Sequence, residues 1–423
     1  MLIGDMRDCF DDGGCVKTEL MGEYAYVVIG SAAAGISTLN TLWRLDPTAS
    51  VLCISDEKEQ PYNKCFLADY LSGEKPESQL FTKLFHKNVR FLFEKRVISI
   101  DRNTKTILMS DNASVRYGKL LLATGSSPVI PPIPGIQGEG VFTFHTLRDT
   151  HAILAHAQRN DCAHVTIMGG GLSGLEAADA LRSHNLEVTL VERNERVLNS
   201  QVDFEAANLI QERMRNQGIQ VLVSTSVEKI IRTDGQVSGV QLSDGSQVTT
   251  NAIICATGLA PNSQLARDAG LRLEGNSVWV DQYQQTSDEH IYAAGDVVVV
   301  RDQLSGQLVR SCTWPDAMHQ GIIAAHAMSD NRKPYPGIVM VASSAFFGVK
   351  FAACGYNSNS LKGDGIATVS CKGSPDEYCK MFVKEGVPQG FIMIGSSLPQ
   401  LGALRRAVVL RQPYTPKPYK TIK

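Results

Sequence analysis

None of the ten cysteines in this sequence stands in CxxC spacing with another. That absence removes the usual pattern of a zinc site or a redox dithiol and offers no disulfide framework. No apolar run approaches the roughly 18–20 residues that cross a bilayer, so no membrane-spanning helix is expected. The first residues, MLIGDMRDCFDDGG, are acidic where a signal peptide would be basic and then apolar. A formal charge of −2 gives no bias toward nucleic acid. Acidic residues are missing altogether from 386 to 423, a stretch that holds Arg405, Arg406, Arg411, Lys417, Lys420 and Lys423. What is present suits packing. With 43% hydrophobic and 20% charged residues, a 423-residue chain has room for two or three globular domains. Cys53 and Cys255 lie inside apolar runs and read as buried thiols, which fits a reducing, cytoplasmic setting.

The chain is organised around residues 24–56, YAYVVIGSAAAGISTLNTLWRLDPTASVLCISD. Residues 24–29 form a short apolar run suited to a buried parallel strand. Gly30-Ser31-Ala32-Ala33-Ala34-Gly35 is a tight turn, and Ile36, Leu39, Leu42 and Trp43 recur at helical spacing after it. Residues 51–54 are a second apolar strand, and Asp56 follows twenty-one residues after Gly35. Such a strand–turn–helix–strand unit sets a pyrophosphate on free N–H groups at a helix N-terminus. The acid after the second strand accepts from ribose hydroxyls. Small residues are required because side chains would hold the phosphates off the backbone.

The pattern then repeats. Residues 165–168 are a strand, Gly169-Gly170-Gly171-Leu172-Ser173-Gly174 is a full GxGxxG, and Glu192 lies eighteen residues past Gly174, within reach of a ribose. Each copy is closed by Ala-Thr-Gly. Ala123-Thr124-Gly125 begins ninety-three residues after Gly30, and Ala256-Thr257-Gly258 begins eighty-seven after Gly169. Self-similarity at this scale is stronger evidence than either motif alone.

Between and beyond the copies the reading is coarser. Residues 1–23 read as an acidic extension. Asp8, Asp11 and Asp12 near Cys9 and Cys15 read as part of that leader rather than a metal site. PYNKCFLADYL (61–71) begins a helix and brings Lys64 and Cys65 close behind the first unit. Residues 89–100 and 105–109 read as strands, and PVIPPIPG (128–135) as a boundary. Residues 291–296, IYAAGD, form a strand ending on Asp296, and a helix starts at Trp314. After a linker at 333–337, strands at 367–370, 380–383 and 390–394 and a helix at 398–410 suggest a small α+β domain.

Together these motifs resemble the FAD- and NAD(P)H-dependent pyridine nucleotide–disulfide oxidoreductases, over residues 24–408. The resemblance implies an α/β fold of two Rossmann-like domains, glutathione-reductase-like, with a small α+β C-terminal domain. Its expected parts are an extension at 1–23, a discontinuous FAD domain at 24–147 and 271–332, an NAD(P)H domain at 148–270, and the last domain at 333–423. It implies that Gly30, Ser31, Ala32, Ala33, Ala34, Gly35 and Asp56 hold the adenosine end of FAD. Lys64, Val97, Ala123, Thr124, Gly125 and Trp314 join the flavin contacts, with Asp296 on the ribityl chain. Gly169, Gly170, Gly171, Leu172, Ser173, Gly174, Glu176, Glu192, Arg193 and Gly258 are the expected NAD contacts. Glu192 favours NADH over NADPH, although Arg193 and Arg196 could recruit a 2′-phosphate.

Within that superfamily, PYNKCFLADYLSG is similar to the PYxR/K segment of rubredoxin and ferredoxin reductases and of the flavin part of NADH-dependent nitrite reductases. Lys64 falls on their basic position near the flavin. Their lysine five residues later pairs with the glutamate after GxxG. Here Glu176 is kept but Asp69 stands in the lysine's place, so the carboxylates repel unless one is protonated or Lys64 lies between them. The cysteine of the peroxidase and oxidase branch is absent from its run, which reads FLAD, four residues beyond Cys65. The implied activity is NADH-dependent electron transfer through FAD to a small acidic carrier such as rubredoxin or ferredoxin. The basic C-terminal stretch would be its docking rim, and a homodimer is compatible with the fold. The alternatives are a thiol, peroxide or CoA-disulfide reductase using Cys65, and a redox-sensing FAD/NADH-binding protein with little turnover.

Overall fold

The computed structural model describes residues 19–82, 88–159, 162–357, 366–370 and 377–415. Readings of Asp8, Asp11, Asp12, Lys417, Lys420 and Lys423 lie outside the described residues. Parallel strands covered on both faces need continuous apolar runs, and the chain supplies two sets of them. In the first, Val89–Leu92, Val51–Ile54, Glu19–Ile29 and Ala113–Leu122 lie side by side and parallel. Thr106–Met109 and Val97–Asp101 extend this sheet antiparallel. Ile291–Ala293, far on in the chain, joins Ala113–Leu122 in parallel and completes it. Residues 19–23 therefore belong to the sheet and not to an extension. Glu19 pairs with Ala113 and Leu20 with Ser114, and the register then shifts before Glu23. That irregularity breaks the two-residue alternation by which a strand is read.

The second sheet runs Gln220–Leu222, Glu187–Val191, His164–Met168, Ala252–Cys255 and Val141–Thr143, all parallel. The two halves match bond for bond at their centres. The N–H of Gly30 donates to the Ile54 carbonyl and that of Gly169 to the Val191 carbonyl, both at 2.8 Å. The N–H of Ala123 donates to Ile29 and that of Ala256 to Met168, again at 2.8 Å. In both sheets the glycine turn leaves the strand where the order of connections reverses, the place where open α/β sheets bind ligands.

The C-terminal region is a five-stranded antiparallel sheet, Val341–Phe346, Val349–Gly355, Val387–Gly395, Tyr378–Lys384 and Ile366–Ser370. The helix Leu401–Leu410 covers it, burying Leu404 and Val408 against Cys354, Phe391 and Met393. The expected α+β character holds, but its first hairpin was not anticipated. Phe347 and Gly348 form the turn at φ 52° and 74°. Two-residue hairpin loops need such left-handed values, and Phe-Gly does not advertise them as Asn-Gly would. Cys379 is disulfide-bonded, a pairing that the expectation of no disulfide framework did not foresee. Pairing depends on closeness in space, which sequence spacing alone does not reveal.

Candidate active site

The helix Ala33–Leu45 that follows the first turn has no side-chain cap and no acid in its first turn. The helix Leu172–Arg182 after the second turn is bare in the same way. Helices Leu147–Ala157, Phe204–Asn216 and Trp314–Met328 are instead capped by Thr146, Asp203 and Thr313. Uncapped helix starts leave N–H donors for an anion. Gly30 and Gly169 take φ of 106° and 115°, and a β-carbon on either would strike the carbonyl of Ala123 or Ala256. On Gly35 or Gly174 it would strike the carbonyl of Gly30 or Gly169. Ala32, standing where the middle glycine was expected, has φ of −87°. An alanine therefore fits the backbone there without strain. Both turns fit a bound pyrophosphate.

The acids after the second strands differ. Glu192 directly follows Glu187–Val191 and is buried. Its carboxylate accepts from the Gly170 N–H at 2.6 Å, from the Asn194 N–H at 2.7 Å and from Asn194 Nδ2 at 2.5 Å. In the first half the corresponding residue is Ser55, whose hydroxyl accepts from Ser31 Oγ at 3.1 Å. Asp56 lies one residue beyond, exposed, with Arg96 Nη2 at 3.1 Å. Val97 follows Arg96 and packs on the core of the first sheet. Arg193 is exposed. Arg196, by contrast, is buried over the Phe204 ring and bonded to Glu195 and the carbonyls of Asn199 and Val202. It has no freedom to reach a 2′-phosphate.

The two Ala-Thr-Gly closures hold the halves together. Thr124 donates to the Asn262 carbonyl, and Asn262 Nδ2 donates back to the Thr124 carbonyl, both at 2.8 Å. Ser126–Pro128 and Leu259–Pro261 pair antiparallel as the connecting segments pass. Gly125 and Gly258, at φ of 65° and 120°, face open space. Asp296 accepts from Ser126 Oγ at 2.9 Å, and the Gly295 N–H donates to Gln320 Oε1 at 2.7 Å. Gln320 belongs to Trp314–Met328, a helix drawn tight against Ala33–Leu45. Thr38 donates to the Gly321 carbonyl at 2.9 Å, and a side chain on Gly321 would collide with Ala34 and Ser37. Trp314 packs half-buried against the core shared by these helices.

Lys64 does not lie between Asp69 and Glu176. Its ammonium pairs with Glu57 at 2.8 Å, and Glu57 also accepts from the Tyr62 hydroxyl at 2.5 Å. Burial alone would raise Glu57, but Lys64 and the Tyr62 bond outweigh it and hold the carboxyl below its usual range. Asp69 is paired with Lys75 at 2.5 Å. Glu176 instead accepts from Ser344 Oγ at 2.6 Å. Burial and then the Asp69 charge raise its affinity for a proton, against the opposing effect of Ser344. Lys75 thus balances Asp69, and the Glu176 carboxyl holds a proton more readily than a free glutamate. Cys65 is solvent-exposed on the short turn Lys64–Phe66. Crowding by the protein, then Glu176, Asp296 and Asp69, push its thiol up to about 11. Sequence reading passed over Glu57, Tyr62, Arg96, Ser126 and Ser344, and Cys312, an exposed thiol also influenced by Asp296. Among the described residues no group of His, Cys, Asp and Glu could hold a metal ion, and no helix is long and apolar enough to cross a membrane.

Two glycine turns on two parallel sheets, each with a bare helix start, define a two-dinucleotide flavin oxidoreductase. The chain belongs to the pyridine nucleotide-disulphide oxidoreductase family, whose model matches residues 24–321, and FAD and a nicotinamide dinucleotide are its cofactors. An NADH oxidase of Methanocaldococcus jannaschii is 33% identical over 70% of this chain and 68% of that protein. A solved NAD-dependent persulfide reductase from A. fulgidus superposes with a TM-score of 0.86 at 29% identity, covering 93% of this chain and 77% of the other. A ferredoxin reductase of the CYP199A2 system from Rhodopseudomonas palustris does so with a TM-score of 0.84 at 26% identity, covering 93% and 96%.

Proposed function

We propose that the protein takes electrons from NADH, in preference to NADPH, and passes them through FAD to a small acidic redox protein, without a covalent step on the chain. The observation that carries this is the setting of Cys65. Reactive cysteines sit in electropositive surroundings that favour the thiolate. Cys65 sits among Glu176, Asp296 and Asp69 and keeps its proton at neutral pH. FAD, when bound, supplies the exchange between two-electron and one-electron chemistry. The chain's part is to hold both dinucleotides by the turns at Gly30–Gly35 and Gly169–Gly174 and to aim them at one junction. Cys65→Ser should therefore leave reduction by NADH and transfer to the carrier within about twofold of wild type, read by stopped-flow absorbance. Loss of transfer in that variant would move the assignment to a thiol relay.

The second reading has one observation in its favour. Cys65 is accessible to solvent at the junction of the two halves, and the superposable A. fulgidus protein is named a persulfide reductase. On that reading the acceptor is a low-molecular-weight disulfide or persulfide, and the carrier would be reduced poorly.

Docking of the carrier is assigned to the basic end of the chain. Arg405 and Arg406 are exposed on Leu401–Leu410, whereas Arg411 is engaged with the Gln303 carbonyl. A basic rim steers an acidic partner and makes association sensitive to salt. At 0.15 M ionic strength the screening length is about 8 Å, so only charges close to the docking face count. The double variant Arg405→Glu/Arg406→Glu should raise the KM for an acidic carrier several-fold at low salt and flatten its salt dependence. Flavin reduction by NADH should not change. Wild-type carrier kinetics at low salt would place the docking face elsewhere.

A further inference from the structure

Glu176 stands where three parts of the fold meet. It lies just past the first turn of Leu172–Arg182, the helix that begins at the second glycine turn. Against it come Leu67–Leu71 with Asp69 from the first half and Val341–Phe346 with Ser344 from the C-terminal sheet. The same carboxyl acts electrostatically on Cys65, which also feels Asp296 at the end of the flavin half. Glu176 thus acts on the same thiol as Asp296 of the flavin half, while its own helix starts at the second glycine turn. Its charged surroundings are nearly all accounted for by other bonds. Asp69 is held by Lys75, Lys64 by Glu57, and Asp179, one turn along the helix, by the Phe347 N–H at 2.9 Å and by Arg182. The Glu176 carboxyl itself accepts from Ser344 Oγ at 2.6 Å.

We propose that Ser344 is a positioning residue for the nicotinamide half-reaction: its hydroxyl fixes the Glu176 carboxyl at the mouth of the second dinucleotide site and couples the C-terminal sheet to that site. The assignment rests on Leu172–Arg182 being the nicotinamide-dinucleotide helix and not on the identity of the electron acceptor. Because the hydroxyl donates to a carboxylate oxygen, it favours the ionised form, while burial and Asp69 favour the neutral one. Removing the hydroxyl leaves the second influence alone and moves the titration upward. A hydrogen bond to a charged group is worth roughly tenfold in the acid dissociation constant, about one pH unit.

The sign for stability follows from linkage. Glu176 holds its proton more tightly folded than unfolded, so the contribution of the neutral form is full below the ordinary carboxylate value and is lost as pH rises through the folded value. Glu176→Gln keeps a neutral group at every pH. The test compares melting temperature and the dissociation constant for NAD⁺ between pH 4 and 9, in wild type, Ser344→Ala, Ser344→Thr and Glu176→Gln. The advantage of Glu176→Gln over wild type should grow above the ordinary carboxylate value. Against Ser344→Ala the growth should begin at the same pH but continue about one pH unit further before it levels off. NAD⁺ binding should show the matching shift, with Ser344→Thr restoring the wild-type curve and Glu176→Gln showing no inflection. A Ser344→Ala protein whose inflection coincides with that of wild type would reduce Ser344 to a packing contact. An inflection surviving in Glu176→Gln would assign the titration to another group and overturn the proposal.

Discussion

Purified Asp296→Ala protein is expected to carry little FAD. Asp296 follows the strand Ile291–Ala293, which completes the first sheet. It is held in place by Ser126 Oγ and by the Gly295–Gln320 bond beneath it. A carboxylate so oriented makes charge-assisted bonds to ligand hydroxyls. Removing one such partner costs about 1.5–3 kcal/mol, or roughly 10- to 150-fold in the dissociation constant. The substitution also leaves the Ser126 hydroxyl without its acceptor. The flavin-to-protein ratio from absorbance, before and after gel filtration, gives the answer. Stoichiometric FAD surviving both would show that the ribityl chain is held elsewhere.

The second large effect expected is a strong preference for NADH over NADPH. Glu192 is buried and fixed by three N–H donors, so it cannot easily swing from a 2′-phosphate. Arg196, a second basic residue near Glu192 in the chain, is committed to Glu195 and two carbonyls. Like charges at about 4 Å cost on the order of 4 kcal/mol per unit charge at an effective dielectric of about 20. Even with solvent screening, kcat/KM should favour NADH by tenfold or more. Glu192→Ala should narrow the ratio, chiefly by improving NADPH. Equal kcat/KM values in the wild-type protein would mean that Arg193, which is exposed, captures the phosphate.

The glycine turns, their helices and both Ala-Thr-Gly closures could be read from the sequence because each is a local requirement. Gly30 and Gly35 are where a side chain would meet backbone, and a short motif records that directly. Asp56 shows where such reading stops. Counting along the chain reaches an acid, but the strand ends at Ile54 and places Ser55 where Glu192 stands in the other half. One residue of strand length decides which side chain faces the turn. The acids at 69 and 176 were recognised as a problem, yet its resolution lay in Lys75 and in Ser344, residues chosen by tertiary packing. No spacing rule connects Glu176 with a serine in another domain. The strand at 19–23 was hidden by a register shift, and the hairpin at 341–355 by a turn lacking asparagine.

The strand Ile291–Ala293 has a consequence for how the protein is made. A ribosome delivers the first dinucleotide unit, then the whole of the second, and only afterwards the strand that finishes the first. Domains tend to close as soon as they are complete during synthesis. The second sheet, whose strands all lie between Val141 and Cys255, can therefore form while the earlier one still exposes the flank of residues 120–122. That open edge is a site for mispairing until Ile291–Ala293 covers it. Asp296 emerges three residues later, so a flavin captured at this stage would seal the last-built edge of the first-begun domain.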